Sequence, residues 1–370
     1  IRADKEDFHE FIEKAQIPFG TARNANDIFA WDHPLYVGRP GTFGQRGANF
    51  AVQSADLYIA VGTRLSLTQT GYLTKDYARN AKIVQVDIDQ AELDKGSLRN
   101  PISIWMDAGA FIGELREAGI EAQWPDWVRR CQDWKARYLV CLPEYKNEPF
   151  VNSYYFIDTL SDLADERDTI VTDMGFAFQS THQAWKTKKG QRLLTNCGLA
   201  PMGWGLPAAV GAAFATGGRV ICITGEGGLM MNIQELATVA HHKLNIKIFV
   251  FNNGGYATIK QTQELGFEGR LMGVNKDTGL SFPDFQKIAQ AHKIPYGIIR
   301  RHKYLKERLD DGFDWDGPTL TEIIMSPDQP QAPRSLNRRN PDGTMNPTAL
   351  EDSYPFLPPE VIAKEMQCAL

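Results

Sequence analysis

From Arg219 the chain runs Val220-Ile221-Cys222-Ile223-Thr224 with little polar alternation, the pattern of a strand buried on both faces of a parallel sheet. The period then changes. Between Met231 and His242, the residues Ile233, Leu236, Val239 and Ala240 recur at helical spacing, and Ile246 to Phe251 returns to a continuous apolar run. Strand, Gly-rich turn, helix and strand make one βαβ unit. Its two Gly-rich corners fall at the carboxyl ends of the strands, where open α/β sheets bind ligands.

The same alternation organises the rest of the chain. Asp4 to Ala15 has a helical pattern with Phe8, Phe11 and Ile12 apolar; Ala48 to Gln53 is helical, and Leu57 to Val61 and Ile83 to Ile88 read as strands. Asp87 and Asp89 stand at the end of the second strand, and Asp107 to Ala118 closes the region as a helix. Residues 1–120 are therefore predicted to form a Rossmann-like domain lacking its first strand, since such a domain should open with a strand. On that reading the chain is a piece of a longer protein. Residues 121–150, with the aromatic and charged stretch Trp124 to Asn147, read as an interdomain helix with a Pro-containing linker. Residues 151–328 form a second α/β domain, with strands at Thr169 to Thr172 and Thr319 to Met325. The segment 329–370, with Pro330, Pro333, Pro341 and Pro347 among Asn, Arg and Asp, suits an extended arm. The predicted fold class is thus α/β, two doubly wound parallel-sheet domains with an extended C-terminal arm.

Composition narrows the function classes. The 370 residues carry a formal net charge of −5 and are 43% hydrophobic, with no basic stripe and no apolar run of membrane-spanning length. Neither nucleic acid nor a membrane is expected as a partner. Cys131, Cys141, Cys197, Cys222 and Cys368 contain no C-x-x-C pair and read as reduced thiols of a cytoplasmic protein.

The chemistry lies at the two corners. Gly225-Glu226-Gly227-Gly228 offers a carboxylate and free backbone amides at a helix start. Asn252-Asn253-Gly254-Gly255-Tyr256 offers an Asn side chain and a bare carbonyl, with Asn253 placed 27 positions after Glu226. These are hard oxygen ligands suited to Mg²⁺ or Ca²⁺ bridging a diphosphate. His182, His241 and His242 have no carboxylate or Ser at a recognisable catalytic spacing and read as surface or satisfied core histidines.

At these residues the chain resembles the thiamine diphosphate (ThDP) enzymes, whose signature is Gly-Asp-Gly followed by Asn-Asn at about this distance. Met231-Asn232-Ile233-Gln234-Glu235-Leu236-Ala237-Thr238 and Asn252 to Gln263 look like acetolactate synthase large subunits in particular. So does Gly198-Leu199-Ala200-Pro201-Met202-Gly203-Trp204-Gly205-Leu206-Pro207-Ala208-Ala209, which is similar to the family's aminopyrimidine-binding segment. The resemblance is most specific from 170 to 265. It reaches the first region through Gly47 to Gln53, Gly62-Thr63-Arg64 and Val86 to Asp89, and is least specific in the tail.

The resemblance implies a set of roles. Glu226, the Asn253 side-chain oxygen and the Gly255 carbonyl would ligate Mg²⁺, and Gly225, Gly227, Gly228 and Tyr256 would line the cofactor, with the Gly227 and Gly228 amides on phosphate. Met202 would support the bent cofactor, its amide and the Ala200 carbonyl meeting the aminopyrimidine. The implied activity is decarboxylation of a 2-oxo acid, pyruvate, with transfer of the two-carbon unit to an acceptor carbonyl, in a homodimer or homotetramer. The alternatives are a 2-oxo acid decarboxylase, or a binding or regulatory module that kept the fold. The family's activating Glu belongs to an N-terminal pyrimidine-binding domain that these residues lack, so they are expected to hold half a site and to be inactive alone.

Three departures qualify the match: Glu226 replaces the usual Asp, Gly175-Phe176-Ala177 replaces a Gly-Gln-His stretch at the diphosphate, and Thr262 stands where many acetohydroxyacid synthases have Trp. Flavin is left open. Acetolactate synthases bind FAD through segments matching Gly62-Thr63-Arg64 and Asp107, whereas related members keep the domain without it.

Overall fold

The computed structural model describes residues 5–121, 124–339 and 342–367. The chain divides into two compact units, one of residues 1–140 with 332–370 and the other of residues 141–331.

The first unit contains α1 (Lys5–Ala15), β1 (Phe19–Gly20), β2 (Tyr36–Gly38), α2 (Arg46–Ser54), β3 (Leu57–Val61), α3 (Leu67–Thr70), β4 (Lys82–Asp87), α4 (Gln90–Asp94), β5 (Ile102–Trp105), α5 (Ala108–Glu117) and α6 (Pro125–Arg137). β3, β4 and β5 form a parallel three-stranded sheet, and β1 pairs in parallel with β2 as a separate two-stranded sheet. That second pair is too short to impose a period on the sequence. The helix expected as an interdomain linker belongs to this unit. α6 buries Cys131 and Trp134 against Val37 and Phe50 of β2 and α2, an apolar stripe that a free-standing linker would expose to water.

The second unit contains α7 (Ser153–Leu163), β6 (Thr169–Thr172), α8 (Phe176–Ala184), β7 (Arg192–Leu194), α9 (Gly205–Thr216), β8 (Val220–Gly225), α10 (Glu226–Met231), α11 (Leu236–His241), β9 (Ile246–Asn252), α12 (Ala257–Gly266), α13 (Phe285–Ala291), β10 (Tyr296–Ile299), α14 (Leu305–Asp314) and β11 (Thr319–Ile324). Its six strands are all parallel, in the order β10-β11-β9-β8-β6-β7. The core packs Val171, Val220, Cys222, Ile246, Ile248, Val250 and Leu320 of the strands against Leu206, Ala209, Leu236 and Val239 of the helices. β7 lies on one side of β6 and β8 on the other, so the strand order reverses at the β6–β8 junction. That switch point opens a crevice at the carboxyl ends of the strands.

The helix predicted from Met231 to His242 is broken. α10 starts at Glu226, Asn232 leaves helical geometry at φ −138°, and a 3₁₀ turn over Ile233–Glu235 leads into α11. The Asn232 side-chain amide donates to the Gly203 carbonyl at 2.8 Å, a contact that competes with continuation of the helix.

The tail is more than an arm. Gln329 and Gln331 stay with the second unit, where Gln329 pairs with Ser153 and Gln331 with Thr258. Beyond them the chain joins the first unit, forming the short antiparallel pair β12 (Arg338–Arg339) and β13 (Met345–Asn346) and the helix α15 (Pro359–Met366). Leu350 is buried against Val52 and Tyr77. Glu365 accepts from Trp134 Nε1 at 2.6 Å, Arg137 Nη1 at 2.6 Å and Tyr138 Oη at 2.9 Å, which pulls its carboxyl down to about 2 through the Arg137 contact first. Cys368 lies outside the described residues.

Candidate functional site at the carboxyl edge of the six-stranded sheet

Three strands end side by side at the switch point, and each is followed by a residue with an oxygen-bearing side chain: Asp173 after β6, Glu226 after β8 and Asn253 after β9. The register that pairs Thr224 with Val250 and Gly225 with Phe251 sets Glu226 level with the Asn252-Asn253 turn. Glu226 is only 2% exposed. Its Oε1 accepts the Gly255 amide at 2.9 Å and the Asn253 amide at 3.1 Å, and the Asn253 Oδ1 also accepts from the Gly255 amide, at 3.2 Å. Burial pushes the Glu226 carboxyl up to about 7, against the downward pull of those amides. Among the described residues no Lys, Arg or His pairs with it, and the donors to its carboxylate are backbone amides.

Glycine is required at both corners for room. A Cβ on Gly255 would sit 2.1 Å from the Val274 carbonyl oxygen, because this turn lies against Val274-Asn275 and Tyr256 donates its amide to the same oxygen at 2.8 Å. A Cβ on Gly227 would meet Tyr256 Cε1 at 2.2 Å and Met202 Cε at 3.0 Å. The structure therefore brings Gly227, Met202 and Tyr256 together above the start of α10. Gly225 is roomier, its nearest such neighbour being the Phe251 carbonyl at 3.9 Å. Ala200 lies two residues before Met202 on an exposed loop, in left-handed geometry at φ 52°.

A residue that the sequence reading passed over stands beneath this loop. Asp173 is 1% exposed and accepts from the Met174 amide at 2.8 Å, from Thr224 Oγ1 at 2.9 Å and from the Gly203 amide with both oxygens at 3.1 Å. Its position directly after a buried parallel strand was the available signal. Phe176 and Ala177 are buried apolar residues of α8 and offer no polar side chain to a ligand. Thr262 is exposed on α12, its hydroxyl donating to the Thr258 carbonyl at 3.1 Å.

His182 is buried and stacked on Phe178, and His241 and His242 are exposed at the end of α11. In the first unit, Arg64 pairs through Nε with Glu92 at 2.7 Å, and Asp107 caps α5 by accepting from Gly109 and Ala110. Their geometry lends no support to a flavin role. Among the described residues no group of three or more His, Cys, Asp or Glu side chains could hold a metal, and no helix is long and apolar enough to cross a membrane. The oxygen set at the β8 and β9 corners is of another kind: one carboxylate, one side-chain amide and backbone carbonyls, the donors that suit Mg²⁺.

Comparison with known proteins adds the relatives. Residues 173–323 match the thiamine pyrophosphate enzyme C-terminal TPP binding domain, and residues 2–115 match the thiamine pyrophosphate enzyme central domain. The acetolactate synthase large subunit of Cyanidium caldarium is 33% identical over 334 residues, 86% of this chain and 55% of that protein. The acetolactate synthase isozyme 1 large subunit of Escherichia coli (strain K12) is 33% identical over 362 residues, 96% of this chain and 58% of its own length. A probable acetolactate synthase large subunit of Methanocaldococcus jannaschii is 32% identical over 337 residues, 88% of this chain and 56% of its own. The chain thus spans a little over half the length of these relatives.

Proposed function

The chain belongs to the thiamine diphosphate (thiamine pyrophosphate) enzyme family, and on that premise we propose that it supplies the diphosphate- and Mg²⁺-holding half of an acetolactate synthase-like enzyme. The observation that carries the proposal is the buried Glu226 carboxylate facing the Asn253–Gly255 turn, with no cationic side chain of the described residues against it. A divalent cation there offsets the cost of burying the charge. Glu226, the Asn253 side-chain oxygen and the Gly255 carbonyl would hold it, and the Gly227 and Gly228 amides at the start of α10 would meet phosphate oxygens.

When bound, ThDP supplies the carbon nucleophile and electron sink that decarboxylation of a 2-oxo acid requires. The chain's own residues bind and orient. Met202 and Tyr256 flank Gly227 and would fix the cofactor's bent shape, while the Met202 amide and the Ala200 carbonyl would meet the aminopyrimidine. The substrate of this reading is pyruvate, and the two-carbon unit passes to an acceptor carbonyl. Exposed Thr262, in place of Trp, leaves the acceptor side open. Leu199 at 86% exposure, Met231 at 50% and Ile259 at 44% support an assembly of at least two subunits in which further protein covers this edge. Taken alone, these 370 residues are expected not to turn over. Flavin stays outside the proposal.

The test is acetolactate formation from pyruvate by the protein in its natural full length. Product that requires both ThDP and Mg²⁺, and that disappears in Glu226→Gln, supports the reading. Turnover without ThDP, or undiminished in that variant, contradicts it.

A further inference from the structure

We propose that Asp173 is a positioning residue: its buried carboxylate fixes the 198–203 loop against the sheet and so sets the aminopyrimidine end of the cofactor site. The inference rests on the ThDP reading above. Several donors converge on one side chain. The Met174 amide, the Gly203 amide and the Thr224 hydroxyl all point at Asp173, at 2.8, 3.1 and 2.9 Å. They come from three places: the segment just after β6, the loop that carries Ala200 and Met202, and the carboxyl end of β8. Gly205, which opens α9, also donates its amide to it.

Leu199, Ala200, Pro201 and Met202 are exposed; the Ala200 amide donates within the loop to the Asn196 carbonyl at 2.8 Å, and the Gly203 carbonyl accepts the Asn232 side-chain amide. Gly203 itself sits at φ 87°, where a Cβ would lie 2.5 Å from Met231 Cβ, so loop and α10 are fitted to each other closely. On its far side Asp173 abuts Gly228, where a Cβ would lie 2.2 Å from Oδ2. One buried carboxylate therefore spaces the Met202 loop from the glycine turn at the start of α10. Removing it takes the acceptor from the Met174, Gly203 and Gly205 amides in a buried site, leaves the Thr224 hydroxyl with only the Gly225 carbonyl at 3.2 Å, and frees the loop.

The functional consequence is selective. A loop that must be ordered by the ligand lowers apparent affinity by the fraction of time it is competent. That cost falls on a ligand that reaches the loop and spares one that reaches only the Glu226 and Gly227 end. ThDP is the first kind of ligand, and inorganic pyrophosphate with Mg²⁺ is the second.

The experiment compares the two ligands by calorimetric titration on the full-length protein and on Asp173→Ala. ThDP affinity is expected to fall about tenfold or more, the loss for a loop competent a tenth of the time, while pyrophosphate with Mg²⁺ binds as to the wild type. Asp173→Asn keeps the shape and an acceptor oxygen and should restore most of the ThDP affinity, with its nitrogen turned to Thr224. Unchanged ThDP binding in Asp173→Ala overturns the proposal. So does a parallel fall for both ligands, which would make Asp173 a residue of the fold only. If Asp173→Ala does not fold, Gly203→Ala disturbs the loop from its other anchor, and the same pair of ligands decides. A wild-type protein that binds neither ligand overturns the ThDP reading itself, a result distinct from either outcome in the variants.

Discussion

Oε1 of Glu226 accepts the backbone amide of Gly255 at 2.9 Å, joining the end of β8 to the turn after the neighbouring β9. Gly255 has no room for a side chain, with the Val274 carbonyl oxygen 2.1 Å from where a Cβ would stand. Gly255→Ala is therefore expected to push the turn off Val274 and break the Glu226 contact. The expected cost is about 1–3 kcal/mol, the range for overpacking a close-fitted site. Thermal unfolding should show a modest loss, and ThDP titration a much larger one. A variant that binds the cofactor normally would show that the turn's position does not matter.

Metal binding should depend on pH in a defined sense. Burial raises the Glu226 carboxyl to about 7 in the metal-free protein, and a metal takes only the ionised form. Mg²⁺ affinity should therefore fall about tenfold per pH unit below this value and level off above it, with one proton released per ion bound in the lower range. The metal-free protein runs the other way. The stability this group contributes is fully present below its ordinary value of 4.5 and is lost as pH rises through about 7. Titrations in buffers of different ionisation enthalpy count the proton. Glu226→Gln should abolish both the release and the slope.

β8 and β9 were legible in the sequence because they are buried almost throughout by largely apolar runs, with Lys247 the charged exception in β9. β7, with three residues, and the β1–β2 pair are too short to show a period. The break at Asn232 was hidden because Leu236 and Val239 stay buried at helical spacing on either reading, and the cause lies 29 residues away at Gly203. Asp173 was missed for a related reason: apart from the adjacent Met174 amide, its donors at Gly203 and Thr224 lie 30 and 51 residues away, and a single Asp after a strand carries no motif. The tail's docking depends on Leu350, Glu351 and Glu365, isolated residues in a Pro-rich stretch that becomes meaningful only beside α2 and α6.

Glu365 gives a stability prediction away from the site. Glu365→Gln removes the charge that Arg137, Trp134 and Tyr138 donate to, and should cost about 1.5–3 kcal/mol, as for hydrogen bonds to a charged group. Because its carboxyl is held at about 2, below its ordinary 4.5, its contribution is fully present above 4.5 and is lost as pH falls through about 2. Denaturant titration across that range should show the wild type converging on the variant in acid. A constant gap between them would mean that the charge contributes nothing.

The central claim is that the β8 and β9 corners hold a diphosphate through a divalent cation. It is met most directly by calorimetric titration of ThDP into the full-length protein, with and without Mg²⁺, for the wild type and Glu226→Gln. Mg²⁺ should tighten ThDP binding by about 10–100-fold in the wild type, the scale on which ligand shells affect metal sites, and should leave the variant unchanged. Equal ThDP affinity with and without Mg²⁺ in the wild type, or an equal Mg²⁺ effect in Glu226→Gln, would contradict it.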